Sequence, residues 1–250
     1  MRKYLMLTMA LGALIAVSVA GIASAGNTPV TVQQGNLKFT FNGGFSPTTL
    51  PKNKLAPISL QASGKIATLD GTHPPALKEA IVETDKNGTI NTKGIPVCKS
   101  GQLQARDTKA AEKACGKSII GTGQTTVEVQ FPEQNPVNVN SKLLVLNGGT
   151  SGGKTTLFIH AYFSAPVTGA IVTTVKISKV HNGRYGLKSI ASIPKIANGA
   201  GSVLSFNLTI NKKGVLMAKC PDGKLQAHAT SVFSDGTKAS AGIVRTCKGK

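Results

Sequence analysis

The amino-acid sequence predicts an all-β fold, arranged as an antiparallel β-sandwich, from two recurring patterns. The first is alternation with a period of two, as in residues 203–210, where apolar residues beginning with Leu204 alternate with Ser205, Asn207 and Thr209. Because successive side chains of a strand point to opposite faces, this pattern predicts strands with one buried face. The second is the Gly- and Asn-rich clusters between such segments, which supply the residues that tight turns require.

Both patterns recur along most of the chain. Residues 127–131 and 157–163 show the same alternation. Turn clusters stand at Asn42-Gly43-Gly44, Asn87-Gly88, Asn147-Gly148-Gly149 and Asn182-Gly183. About a dozen short strands of this kind are typical of a sandwich, immunoglobulin-like or related.

One short helix is predicted near residues 108–114. Asp107 or Thr108 can accept a hydrogen bond from the free backbone N–H groups at its start, and Gly116 can end it. The helix would lie between two cysteines.

A secretory signal peptide is predicted at residues 1–25. Arg2 and Lys3 form its basic start, an apolar run follows, and Ala23-Ser24-Ala25 supplies the small residues that signal peptidase needs. The apolar run is short for a spanning helix, so the mature chain, residues 26–250, is predicted to contain no transmembrane segment. It is expected to be secreted or held at the cell surface.

Four cysteines remain in the mature chain: Cys98, Cys115, Cys220 and Cys247. An even number in an oxidising compartment predicts two disulfides. Three connectivities exist, and proximity in sequence favours Cys98–Cys115 and Cys220–Cys247. The spacings do not fit a zinc site, so neither a metal nor a cofactor is expected.

A weak internal repeat leaves the domain organisation open. Residues 90–95 (INTKGI) recur as residues 210–215 (INKKGV), and a cysteine follows each copy. The mature β-region is therefore either one sandwich or two similar β-units, residues 26–147 and 148–250.

The chain is strongly basic, with 29 Lys and Arg residues against 10 Asp and Glu, a formal net charge of +19. Such a charge attracts polyanions. Most of the basic residues are lysines, which lack the two-pronged guanidinium that reads bases, and the chain has no tryptophan for stacking on them. The expected partners are anionic envelope polymers or other extracellular proteins, and not a specific nucleic acid.

Residues 148–155 (GGTSGGKT) match the G-x-x-x-x-G-K-[ST] pattern of nucleotide-binding loops. That loop requires a helix N-terminus aimed at phosphates. Residues 156–163 instead have the alternation of a strand, so this interpretation is rejected in favour of a hairpin.

Within that stretch, residues 149–153 (GTSGG) resemble the nucleophile loop of the chymotrypsin-like serine proteases, which are secreted all-β proteins. The resemblance implies that Ser151 is a nucleophile and that His73 is its general base. An aspartate such as Asp85 or Asp107 would then orient the histidine.

The favoured hypothesis is a non-catalytic protein that binds or scaffolds at the cell envelope through basic faces. The alternative is a secreted serine hydrolase that uses Ser151, His73 and Asp85. A third class, a protein with an apolar ligand cavity between its sheets, also fits the strand pattern.

Overall fold

The computed structural model describes residues 21–23 and 28–250, and it confirms an all-β fold with one short helix. The immunoglobulin-like sandwich is not confirmed. One antiparallel sheet instead curls into a nearly closed, barrel-like shape. Alternation specifies which face of each strand is buried, but it does not specify how the sheet closes. The predicted signal peptide lies outside the described residues, except for residues 21–23.

The elements follow one another along the chain with these bounds. The strands are β1 (Gly21–Ala23), β2 (Val30–Gln34), β3 (Leu37–Ser46), β4 (Thr49–Leu50), β5 (Ala56–Thr68), β6 (Leu77–Asp85), β7 (Gly88–Ile90), β8 (Ile119–Val129), β9 (Val137–Ser151), β10 (Lys154–Phe163), β11 (Gly169–Asn182), β12 (Tyr185–Ser192), β13 (Gly201–Ile210), β14 (Leu216–Ala218), β15 (Lys224–Phe233), β16 (Lys238–Thr246) and β17 (Lys248–Gly249). The helix is α1 (Thr108–Cys115), and short 3₁₀ turns cover Ser100–Gln102, Gly116–Ser118 and Ala197–Gly199.

The main sheet follows the order β16-β15-β6-β12-β11-β10-β9-β8-β13-β5-β3-β2. Strand β2 lies against β16 again, which brings the two ends of this path together along a seam. The pairings along the path are antiparallel, and β1 adds to β16 in parallel. At one end of the molecule β14 pairs with the start of β5 and with β7.

The two segments of the predicted internal repeat are interleaved in this sheet. Strand β6 lies between β12 and β15, and β13 lies between β5 and β8. The repeated motif forms the same turn twice, with Ile95 N–H donating to Thr92 O and Val215 N–H donating to Lys212 O. The duplication itself stays a prediction.

Strand β13 shows where simple alternation fails. Its pairing with β8 shifts between Val203 and Ser205, so that one extra residue is inserted. A bulge reverses the facing of the residues on one side of it. Val203 and Phe206 therefore face the interior together, in place of the expected Leu204 and Phe206.

The glycine-rich stretch forms a regular hairpin between β9 and β10. Its two turn residues, Gly152 and Gly153, have φ values of 56° and 74°. A two-residue turn with positive φ at both positions matches the twist of the strands and strongly favours glycine. Strand β10 follows the turn, so the helix N-terminus that a nucleotide-binding loop requires is not present at this position.

Helix α1 has the predicted cap, because the side chain of Asp107 accepts a hydrogen bond from Ala110 N–H at 2.7 Å. The disulfides are Cys98–Cys115 and Cys220–Cys247, the pairs that sequence proximity favours. The first attaches the end of α1 to the segment after β7. The helix thereby covers the outer face of β9 and β10.

Candidate functional site

The interior of the sheet contains a cavity of about 400 Å³. Inward-facing side chains from most strands of the main sheet line it, and most of them are aliphatic or aromatic. Representative lining residues are Val145, Leu157, Ile159, Val175, Ile177 and Leu208. The cavity is thus a product of the whole sheet, and no single motif encodes it.

Cross-strand pairs explain why this wall is apolar. In the ladder between β10 and β11, Leu157 lies opposite Val175 and Ala161 lies opposite Ile171. Side chains directly opposite in antiparallel strands project to the same face and contact each other. The alternation in the sequence therefore places one apolar row per strand on the inner wall, while polar residues such as Lys176 face outwards.

Two charged residues, Asp85 and Arg245, are among the residues that line the described cavity. Asp85 is buried, but its charge is compensated. It pairs with Arg184 Nε at 2.7 Å and accepts hydrogen bonds from the backbone N–H groups of Asn87 and Gln226. Arg184 also pairs with Asp222, and this hydrogen bond is the main reason that the pKa of Arg184 is raised.

Arg245 lies on the inward face of β16 and is only 6% exposed. Its Nε donates to Gly43 O at 2.6 Å, and its Nη2 donates to Asn42 Oδ1 at 2.7 Å and to Thr28 O at 3.4 Å. Its Nη1 donates to Val244 O at 3.1 Å. None of the ion pairs in residues 28–250 involves Arg245, and its burial lowers its pKa.

His73 belongs to a different hydrogen-bonded group from the one that the protease resemblance implies. Its Nδ1 lies 2.7 Å from Glu128 Oε1 and its Nε2 lies 3.0 Å from Ser202 Oγ. The serine is buried, and its hydroxyl donates to Pro74 O at 2.6 Å. Glu128 and Ser202 are cross-strand partners on β8 and β13, a pairing that the sequence alone did not reveal.

The residues of the predicted serine site go to separate places. Ser151 is exposed at the end of β9, where it pairs with Lys154 across the hairpin. The hydrogen-bond partners of Asp85 include neither Ser151 nor His73. Asp107 caps α1.

His160 is fully buried on the outer face of β10, which α1 covers. Its Nε2 donates to Arg106 O at 3.0 Å, whereas its Nδ1 has no hydrogen-bond partner among residues 28–250. Burial lowers the pKa of the imidazole, and the hydrogen bond to Arg106 O opposes this effect. The neutral ring therefore acts as a packed side chain.

No protein-family model matches this chain, and no curated protein is significantly similar to it in sequence. In the described part of the chain, the helical segment is too short and too polar to cross a bilayer. The same residues contain no cluster of three or more His, Cys, Asp or Glu side chains suited to a metal ion.

The burial of His160 predicts that the protein loses stability in mild acid. The unfolded chain binds a proton at this residue near its ordinary pKa of 6.5, and the folded chain resists it. Below that pH the unfolded state binds more protons, so the free energy of unfolding falls as the pH falls. Urea unfolding from about pH 7.5 to about pH 5 should show a smaller loss for His160→Gln than for the wild type.

The matched control is His181→Gln, because His181 is exposed near the end of β11. This variant should keep the pH dependence of the wild type. Equal slopes for all three proteins would contradict the burial argument.

Proposed function

We propose that the protein is a non-catalytic carrier that holds an apolar ligand inside its sheet. The observation that carries this proposal is the cavity of about 400 Å³, whose lining is mostly aliphatic and aromatic. Ligand sites in proteins commonly enclose about 300–1,000 Å³ and combine apolar walls with a few polar groups. The described cavity has both properties.

The energetics favour an apolar occupant. Transfer of a ligand methylene group from water to such a wall stabilises the complex by about 0.8 kcal/mol. A ligand in the cavity would also make dispersion contacts with wall side chains such as Leu157 and Val175. A ligand that fills the space should therefore bind and raise the stability of the folded state.

The proposed compartment suits a carrier of this kind. The two disulfides are consistent with an oxidising environment outside the cytoplasm, and the predicted signal peptide would deliver the protein there. An apolar molecule that crosses an aqueous compartment needs its surface covered. The inner wall of the nearly closed sheet would provide that cover.

The basic exterior supports a second part of the proposal, attraction to anionic envelope polymers or other extracellular partners. Lys142, bonded to Glu112, is the one lysine of residues 28–250 that forms an ion pair. The other lysines keep an uncompensated charge.

Retention of the protein on a polyanionic matrix should weaken steeply as salt is added, because screening shortens the range of these charges. Retention that does not change with salt would contradict this part.

Filling the cavity should reduce ligand binding without unfolding the protein. Ala191 lines the cavity on β12, opposite Val175 and Ala80. Ala191→Leu adds methyl groups to empty space and should weaken binding of the neutral fluorophore N-phenylnaphthylamine by about tenfold, or about 1.4 kcal/mol. Fluorescence titration measures this affinity directly.

Ser192→Leu is the matched control, because Ser192 is exposed and next to Ala191 on the opposite face of β12. It should bind the fluorophore as the wild type does. The carrier proposal fails if the wild type does not bind the fluorophore, or if both variants weaken binding equally.

A serine hydrolase remains the second candidate, because His73 contacts both a carboxylate and a serine hydroxyl. The buried position of Ser202 and its bond to Pro74 O argue that this group clamps the loop before β6. We therefore expect a fluorophosphonate probe to leave the folded protein unlabelled. Labelling that Ser202→Ala or Ser151→Ala abolishes would favour the hydrolase and identify its nucleophile.

A further inference from the structure

We propose that the ligand of the cavity is a long-chain aliphatic carboxylate and that Arg245 neutralises its carboxylate group. This inference rests on the proposed carrier function and adds the chemical class of the ligand. It follows from the charge state of Arg245, its unused donor capacity and its place on the cavity wall.

No carboxylate among residues 28–250 forms an ion pair with Arg245. A buried charge is costly unless another charge or several dipoles compensate it. Arg245 is 6% exposed and is bonded to four oxygens, each of which belongs to a neutral backbone carbonyl or side-chain amide. Its guanidinium therefore keeps its full positive charge beside an apolar cavity.

Arg184 differs from Arg245 in having carboxylate partners. That residue is half-buried and pairs with two carboxylates, Asp85 and Asp222. The protein thus compensates the other arginine near this cavity with its own acidic residues. The same chain supplies none to Arg245, and residues 1–27 contain no Asp or Glu. A full counter-charge for Arg245 would therefore come from a bound molecule.

The guanidinium of Arg245 has more N–H donors than the acceptors in residues 28–250 use. A guanidinium has five N–H donors, and the four bonds from Arg245 leave one of the two N–H groups on Nη1 without an acceptor among residues 28–250. The bond to Thr28 O, at 3.4 Å, is the longest of the four. A ligand oxyanion would accept the remaining N–H in a charge-assisted bond.

The charge and the free donor of Arg245 indicate which class of anion it would bind. One free N–H and one uncompensated charge match a monoanionic group such as a carboxylate. A phosphate monoester carries a charge of about −1.5 to −2 and more acceptor oxygens than this site can satisfy. Most of the remaining wall is aliphatic or aromatic, which matches a ligand whose other part is a hydrocarbon chain. These requirements together describe a fatty acid.

Arg245 also has a structural role that the experiment must separate from ligand binding. Its bonds to Gly43 and Asn42 connect β16 to β3 across the seam where the main sheet closes. Loss of the side chain will therefore lower stability as well. The selectivity between an acid and the matching alcohol is the readout that a purely structural role would leave unchanged.

The test is the dissociation constant of hexadecanoic acid and of hexadecanol for the wild type, Arg245→Met and Arg245→Lys. The wild type should bind the acid at least about tenfold more tightly than the alcohol. Arg245→Met should lose this preference while it keeps its affinity for the alcohol. Arg245→Lys keeps the positive charge and should retain part of the preference.

A second measurement avoids the variants, in case Arg245→Met does not fold. The measured quantity is the ¹³C chemical shift of the labelled carboxyl group of bound hexadecanoic acid as the pH is lowered. The carboxyl group should stay ionised to a lower pH than it does in water, because a nearby cation favours the charged form. Equal binding of acid and alcohol by the wild type, or a bound carboxyl that titrates as in water, would overturn the assignment of Arg245. Binding of neither compound would overturn the carrier function as well.

Discussion

Side chains alternate between the two faces of a sheet that curls back on itself, and this alternation determines the other main features of the molecule. Because the sheet has an inside, one row of residues on each strand must be apolar, and the other row is free to carry lysines. A nearly closed sheet of many strands also encloses more space than its side chains fill. The described cavity, its apolar wall and the basic exterior are three consequences of this one arrangement.

Local rules account for the parts of the fold that the sequence predicts correctly. The hairpin turn at Gly152–Gly153, the cap of α1 by Asp107 and the strand character of residues 157–163 each depend on a few neighbouring residues. The closure of the sheet depends on contacts between distant strands, such as β6 with β12 and β2 with β16. No local pattern encodes these contacts, which is why a sandwich was the expected arrangement.

The candidate site could be predicted only in part for the same reason. The alternation in the sequence predicts which residues of β10 face inwards. The bulge between Val203 and Ser205 changes which residues of β13 face inwards with them. Nothing in the sequence indicated that Arg245 lacks a carboxylate partner, since that depends on which strands meet at the seam. The same limit applies to His73, whose partners Glu128 and Ser202 come together through the pairing of β8 with β13.

The carrier function requires that the interior of the sheet is an open apolar space and not a packed core. Xenon binding in a pressurised crystal of the protein distinguishes the two arrangements, because dry apolar cavities bind this atom. We expect xenon density between the inner faces of β10 and β11 and the strands opposite, with contacts to Ile159 and Ile177. An interior filled by interlocking side chains, with no xenon in it, would rule out a ligand cavity.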